Sequence, residues 1–299
     1  MSFSVTGKYA IITGAGSGIN LEFAKLLLSR GCSVLIGDLI QRPEAEKVTK
    51  EYSSSSGGKP TAHFHKTDVA SWPSLTSLIQ EGLRLFPQID IVVPGAGVFE
   101  PAWSSFWNPP GTTESRDAAD GGRYATIDIN LTHPIRLSQL ALKYWTEKKI
   151  QGCLLHVSSI AGHSSGIGTP LYFASKNGLH AFVRSLGGLK EKLGIRVGAV
   201  APGAVITPMW LEDPEKMAMA KGFEFIQPEE IANSMLELCE KDHYGDGTIL
   251  EVTKGATRVV PQYNQPPPAG EGSMVPGFLK AQEDLYESLR MEGLKGPKL

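Results

Sequence analysis

Cysteine is scarce in this chain: Cys32, Cys153 and Cys239 are all there is in 299 residues, each inside an apolar segment. An odd count without metal-ligand spacing argues against a disulfide framework or a cysteine-based zinc site and leaves buried, reduced thiols. Charge of one sign is missing too. Lysine and arginine number 29 against 31 aspartates and glutamates, giving a net charge of −2. That leaves no electrostatic footprint for nucleic acid or for an anionic membrane. No apolar run approaches the ~20 residues a membrane helix needs. The opening stretch "MSFSVTGKYAIITGAGSG" breaks into glycines before it forms the apolar centre of a secretory signal. A soluble, cytoplasmic protein is expected. His63, His65 and His133 are not grouped as metal ligands, so no metal is expected, and His156 sits in an apolar strand pattern as a core histidine.

What the chain does have is 41% hydrophobic residues with 33 glycines and 20 prolines, enough for a large core with many turns. Short β-branched runs at 9–13, 33–38, 61–69, 89–94, 152–159, 195–202 and 247–252 alternate with amphipathic stretches. Strands without polar relief are strands buried on both faces, as a parallel sheet between helices requires. The pattern predicts a single α/β domain of the Rossmann type. It would be doubly wound, with a seven-stranded, mostly parallel sheet and helices on both faces, over residues 1–260. Residues 99–123 are too rich in proline, glycine and serine for a regular element and read as a long loop. Residues 261–299 read as a Pro/Gly-rich linker and a short amphipathic helix, with Phe278, Leu285 and Leu289 on one stripe.

After the first strand, "TGAGSGIN" places Gly14, Gly16 and Gly18 ahead of an apolar helix. Such a turn lets the backbone approach a pyrophosphate at a helix N-terminus. Asp38 ends the second strand twenty residues after Gly18, where a carboxylate meets the hydroxyls of an adenosine ribose and repels the extra phosphate of NADP. The plain alternative for Asp38 is a strand-end turn carboxylate. Neither Ser17 nor Leu39 is basic, although Arg42 is near. NAD is the expected cofactor.

The stretch "TPLYFASKNG" sets Tyr172 and Lys176 four residues apart. Thr169 as cap and Pro170 at the first helical position predict a helix start, which brings the two side chains onto one face. Removing a hydride from an alcohol carbon requires removing the hydroxyl proton as well. A phenol titrates near ~10, so it serves as a base only if nearby positive charge favours its anion.

These segments together resemble the short-chain dehydrogenase/reductase family from about residue 5 to 258. The likeness is carried by "TGAGSGI", "DV" at 68–69, "GAG" at 95–97, "INL" with Asn130, "VSSIAG" at 157–162, "YFASK" at 172–176 and "PGAVITP" at 202–208. All stand in the family's order, with thirteen residues from Ser159 to Tyr172. The resemblance implies that Tyr172 is the general acid/base and that Lys176 tunes it and holds the nicotinamide ribose. Ser159 would hydrogen-bond the substrate oxygen, and Asn130 would support a proton-relaying water. It implies cofactor contacts at Gly14, Ser17, Gly18, Ile19, Asp38, Asp68, Val69, Gly97, Val205 and Thr207, besides Tyr172 and Lys176. It also implies a homodimer or homotetramer.

Three departures stand out: Asn20 in place of a third glycine, Pro94-Gly95 in place of an Asn-Asn pair, and Gly187-Gly188 after the tyrosine helix. The first predicts that the opening helix packs further from the sheet, the second a looser end to the fourth strand. Met209, Trp210, Leu211, Met217, Met219, Phe223 and Phe225 fall where the family keeps a substrate lid. They suggest an apolar alcohol or ketone, or else only hold the lid to the body; Trp103, Phe106 and Trp107 would extend the wall. The reading is an NAD-dependent alcohol dehydrogenase or ketone reductase. The alternatives are an NADP-dependent ketone reductase and a non-catalytic dinucleotide-binding redox sensor, against which the full set of Ser159, Tyr172, Lys176 and Asn130 weighs.

Overall fold

In the computed structural model of the chain, which describes residues 3–54, 58–262 and 278–292, the apolar runs lie side by side in one sheet. Its strands are β1 (Tyr9–Thr13), β2 (Ser33–Asp38), β3 (Ala62–Lys66), β4 (Ile91–Val93), β5 (Gly152–Val157), β6 (Ile195–Pro202), β7 (Asp246–Thr253) and β8 (Ala256–Val259). Their order is β3-β2-β1-β4-β5-β6-β7-β8, parallel throughout except for the antiparallel β7–β8 pair. Among the described residues the sheet therefore has eight strands where seven were expected. The eighth follows a tight turn at Gly255 (φ +71°) and is exposed along its length, so it lacks the buried run that marks the others.

The helices are α1 (Gly18–Ser29), α2 (Pro43–Glu51), α3 (Trp72–Leu85), α4 (Ala125–Ile127), α5 (His133–Lys148), α6 (Pro170–Ser185), α7 (Leu189–Leu193), α8 (Pro208–Leu211), α9 (Pro214–Met219), α10 (Pro228–Glu240) and α11 (Phe278–Glu292). A π turn (Asp128–Thr132) joins α4 to α5, and a 3-10 turn (Ile160–His163) follows β5. Successive strand residues point to opposite faces of the sheet. Ile91 and Val93 enter the core beneath α1 and α10, while Val92 enters the core beneath α3, α5 and α6. Cys153 and Leu155 divide from Leu154 in the same way, and each such fully buried aliphatic side chain contributes about 1.5–3 kcal/mol.

The strand order runs outward in both directions from the β1–β4 pair, so the connections diverge there and open a crevice at the carboxyl ends of the strands. That crevice holds the site described below. On the far side, the Gly187-Gly188 pair makes room for its neighbours. A Cβ at Gly187 would lie 2.3 Å from the Asp246 carbonyl oxygen, and one at Gly188 would lie 2.0 Å from the Tyr286 hydroxyl. Tyr286 and Leu289 of α11 pack against the core, and Glu283 pairs with Lys192 at 3.1 Å. The linker at 263–277 and the side chains of Phe278 and Leu285 lie outside the described residues. Among the described residues, no helix is long and apolar enough to cross a membrane.

Candidate active site

The chain leaves β1 at Thr13 and turns through Gly14, whose φ is +72° and whose Cβ would sit 2.6 Å from the Ala96 backbone. The Gly16 amide donates to Asp38 Oδ2 at 2.8 Å, so the carboxylate that ends β2 also fastens the glycine turn. The first turn of α1 carries no acidic residue, and its cap residue Ser17 makes no side-chain cap bond. The free amide groups and positive dipole end of this 12-residue helix face the crevice.

Asn20 ties α1 to the chain that leaves β1 and β4. Its Nδ2 donates to the Gly95 carbonyl at 2.9 Å and to that of Gly14 at 3.4 Å. A Cβ on Gly95 would meet the Asn20 amide at 2.4 Å. The asparagine missing from the end of β4 thus has its counterpart on α1, and the glycine missing from α1 has its counterpart after β4. Thr13 completes the tie, donating to Val93 O at 3.2 Å and accepting from Gly95 N at 3.0 Å. Gly95→Ala should therefore destabilise the protein by about 1–3 kcal/mol in denaturant unfolding, as overpacking does. Adding Asn20→Gly should recover part of the loss; a double variant no more stable than the single one would contradict the exchange.

Beyond β5, the Ser159 hydroxyl oxygen accepts from Ala161 N at 3.1 Å and caps the 3-10 turn. Ser159 also lines the crevice with Tyr172 and favours the ionised form of its phenol. Its neighbour Ser158 is buried and lines the crevice, and its Oγ has no hydrogen-bond partner among the described residues. Pro170 opens α6 as expected, but Thr169 makes no side-chain cap bond. A carboxylate from the 99–123 loop takes that place: Glu100 Oε2 accepts from Tyr172 N at 2.9 Å. One turn along, the buried Lys176 donates from Nζ to Val157 O at 3.0 Å and lies 5.6 Å from the centre of the Tyr172 ring.

Burial pushes the Lys176 ammonium down to about 8. Burial also raises the Tyr172 phenol, and the neighbouring Ser159 draws it only partly back. Burial is the larger of these two influences, so the phenol's net shift is upward.

Asn130 stands on the π turn, a local widening often found at functional sites. Its Oδ1 accepts from Val98 N at 2.9 Å and its Nδ2 donates to Val98 O at 2.8 Å. Its side chain is therefore engaged behind the crevice wall rather than in it. His133 and His156 are held neutral by burial, pushed down to about 4 and about 3. Among the described residues, no group of three or more His, Cys, Asp or Glu could hold a metal ion.

A cavity of about 600 Å³ follows the strand ends and is lined by Gly14, Ser17, Gly18, Ile19, Asp38, Asp68, Val69, Gly97, Ser159, Tyr172, Lys176, Val205 and Thr207. Met209 and Trp210 line it as well, and Trp210 packs on Phe225 at 5.2 Å, which in turn meets Phe223 at 5.2 Å. The lid stripe both faces the cavity and holds the lid together. Leu211 is exposed, and Met219's side chain lies outside the described residues. Trp103, Phe106 and Trp107 do not line the cavity. Arg116 covers the Trp103 ring at 5.7 Å, Phe106 and Trp107 pack on each other at 5.0 Å, and Trp107 Nε1 donates to Ile167 O at 2.8 Å. The wall is instead Phe99, 4.7 Å from the Tyr172 ring and 6.4 Å from that of Trp210. Its signal in the sequence was an aromatic residue directly behind "GAGV", where the chain still lies over the strand ends. Arg42 reaches across the crevice mouth to Glu212 in a two-pronged pair, with Nη2 to Oε2 at 3.0 Å.

These features fit a dinucleotide. The glycine turn and the α1 amides suit a pyrophosphate. Two buried polar atoms in residues lining the cavity, Asn20 Oδ1 and Ser158 Oγ, lack partners among the described residues. A profile of the short chain dehydrogenase family matches residues 8–218. The chain is 30% identical over 267 residues to the mouse (Mus musculus) 15-hydroxyprostaglandin dehydrogenase [NAD(+)], covering 83% of this chain and 91% of that one. It is 30% identical over 258 residues to cis-4-hydroxycyclohexanecarboxylate dehydrogenase of Sinomonas cyclohexanicum, covering 84% and 97%. A crystal structure of a short-chain type dehydrogenase/reductase from Mycobacterium marinum superposes with a TM-score of 0.69 at 21% identity, covering 85% of this chain and 96% of that one. The chain belongs to the short-chain dehydrogenase/reductase family.

Proposed function

We propose that the protein is an NAD-dependent oxidoreductase that interconverts an apolar secondary alcohol and its ketone, with Tyr172 as general acid/base. The observation that carries this reading is that Ser159, Tyr172 and Lys176, with the ammonium over the tyrosine ring, line the same cavity as the glycine turn and Asp38. When bound, the nicotinamide accepts the hydride and, oxidised, adds a positive charge near the phenol. Ser159 holds the substrate oxygen against Tyr172, whose Oη takes the hydroxyl proton in oxidation and returns it in reduction. Lys176 favours the phenolate and is placed for a ribose hydroxyl, while Asn130 keeps the π turn tied to Val98 beside them. Phe99, Met209 and Trp210 supply the apolar wall, which excludes water and suits a hydrocarbon substrate. Among the described residues lining the cavity, the lysine and arginine side chains are Lys176 and Arg42, each already engaged, so a carboxylate-bearing substrate finds no ready cation. We further propose residues 1–260 as the catalytic unit, 261–299 as an appended tail, and self-association as a dimer or tetramer.

NAD preference follows from two contacts. Asp38 borders the cavity where the adenosine ribose would lie, and Arg42, which lines the same cavity, is held by Glu212. Purified protein should bind NAD at least tenfold more tightly than NADP, about 1.4 kcal/mol. Asp38→Ser should narrow the gap in a titration of both cofactors. Equal affinities in the unmutated protein would overturn this part of the reading.

A further inference from the structure

Glu100 is a carboxylate that the proposed chemistry does not use, yet it is only 6% exposed and holds an unusual backbone, with φ at +38°. A non-glycine residue stays in that conformation when its surroundings fix it. Here three donors fix it. Oε2 accepts from Tyr172 N at 2.9 Å, and Oε1 accepts from Phe106 N at 2.9 Å and from Ser105 Oγ at 3.1 Å. The residue before it, Phe99, is the ring against the Tyr172 phenol.

The same loop holds the start of the other helix that leads to the site. Asp117, 9% exposed, accepts from Ala125 N at 2.9 Å through Oδ1 and from Ser104 Oγ at 2.8 Å through Oδ2. Ser104 Oγ in turn accepts from Thr126 N at 2.9 Å. The 99–123 loop is thus a brace with one buried carboxylate at the first turn of α6 and another at the start of α4, which runs into the π turn bearing Asn130.

We infer that Glu100 is a positioning residue: its carboxylate fixes the first turn of α6, and with it the Tyr172 phenol and the Phe99 ring, relative to the reacting atoms. The inference rests on the reading of Tyr172 as acid/base. Charge and shape both enter. The three groups around Glu100 are all donors, which an anion satisfies at once. A glutamine of the same shape would still accept through one oxygen but would turn its amide hydrogens toward a donor.

The test uses the full-length chain, with Glu100→Ala, Glu100→Gln and Tyr172→Phe compared on one apolar secondary alcohol. Glu100→Ala should lower kcat by about tenfold or more, because small misplacements of a reacting group are costly. NAD affinity should stay within about twofold, since the glycine turn and Asp38 lie on other elements, so the loss would fall on chemistry rather than binding. If Glu100→Ala fails to fold, Glu100→Gln decides, with an expected loss of about threefold in kcat at unchanged NAD affinity. Full kcat in the folded Glu100 variants, beside an inactive Tyr172→Phe, would overturn the inference and leave the reading of Tyr172 standing. A fall of kcat and NAD affinity together with melting temperature would overturn it too, showing general loosening. Retained activity in Tyr172→Phe would instead remove the reading on which the inference stands.

Discussion

Tyr172→Phe should lose turnover by about a hundredfold or more, the range for removing a general base, while NAD affinity and melting temperature barely move. The substitution keeps the ring, and with it the edge-on contact with Phe99 at 4.7 Å. It deletes only the phenol oxygen, the atom that would meet the substrate. The backbone amide held by Glu100 is untouched, so α6 starts where it did. Steady-state rates on an alcohol, cofactor titration and a melting curve together check the result. Turnover near that of the unmutated protein would mean that the phenol is not the proton acceptor.

Lys176→Ala should do wider damage, lowering turnover and NAD affinity together. The ammonium is almost wholly buried and donates to Val157 O, the last residue of β5 beside the serine pair. Truncation leaves that carbonyl without its donor and opens a void, at about 1–3 kcal/mol for an unsatisfied buried group. It also removes the positive charge over the Tyr172 ring. In a pH series of the oxidation rate, the rise should therefore move to higher pH in the variant, since less positive charge disfavours the phenolate. An unshifted profile with unchanged NAD affinity would contradict the role given to Lys176.

The parts of this molecule that were legible in its sequence are those written in contiguous residues. The apolar runs of β1, β2, β5 and β6 announce buried parallel strands because every second side chain enters one of two cores, and "TGAGSGI" and "YFASK" each lie within one turn. β8 was missed because an exposed edge strand has no apolar face to display. Glu100 and Tyr172 are 72 residues apart, and Asn20 and Gly95 are 75 apart, so nothing local marks either pair. Asn20 and Gly95 looked like two separate departures from the family pattern, and only their contact shows one exchange. Trp103, Phe106 and Trp107 were placed on the substrate wall by aromatic character alone. Their loop instead folds back on itself through Glu100, Ser104 and Asp117, leaving the wall to Phe99.

The most direct test of the central claim is the reduced-nicotinamide absorbance band, followed while NAD and a panel of apolar secondary alcohols are mixed with the unmutated protein and with Tyr172→Phe. The account predicts a steady rise with at least one alcohol for the unmutated protein and a rate about a hundredfold lower for the variant. NAD binding without any rise across the panel, or equal rises for the two proteins, would contradict it.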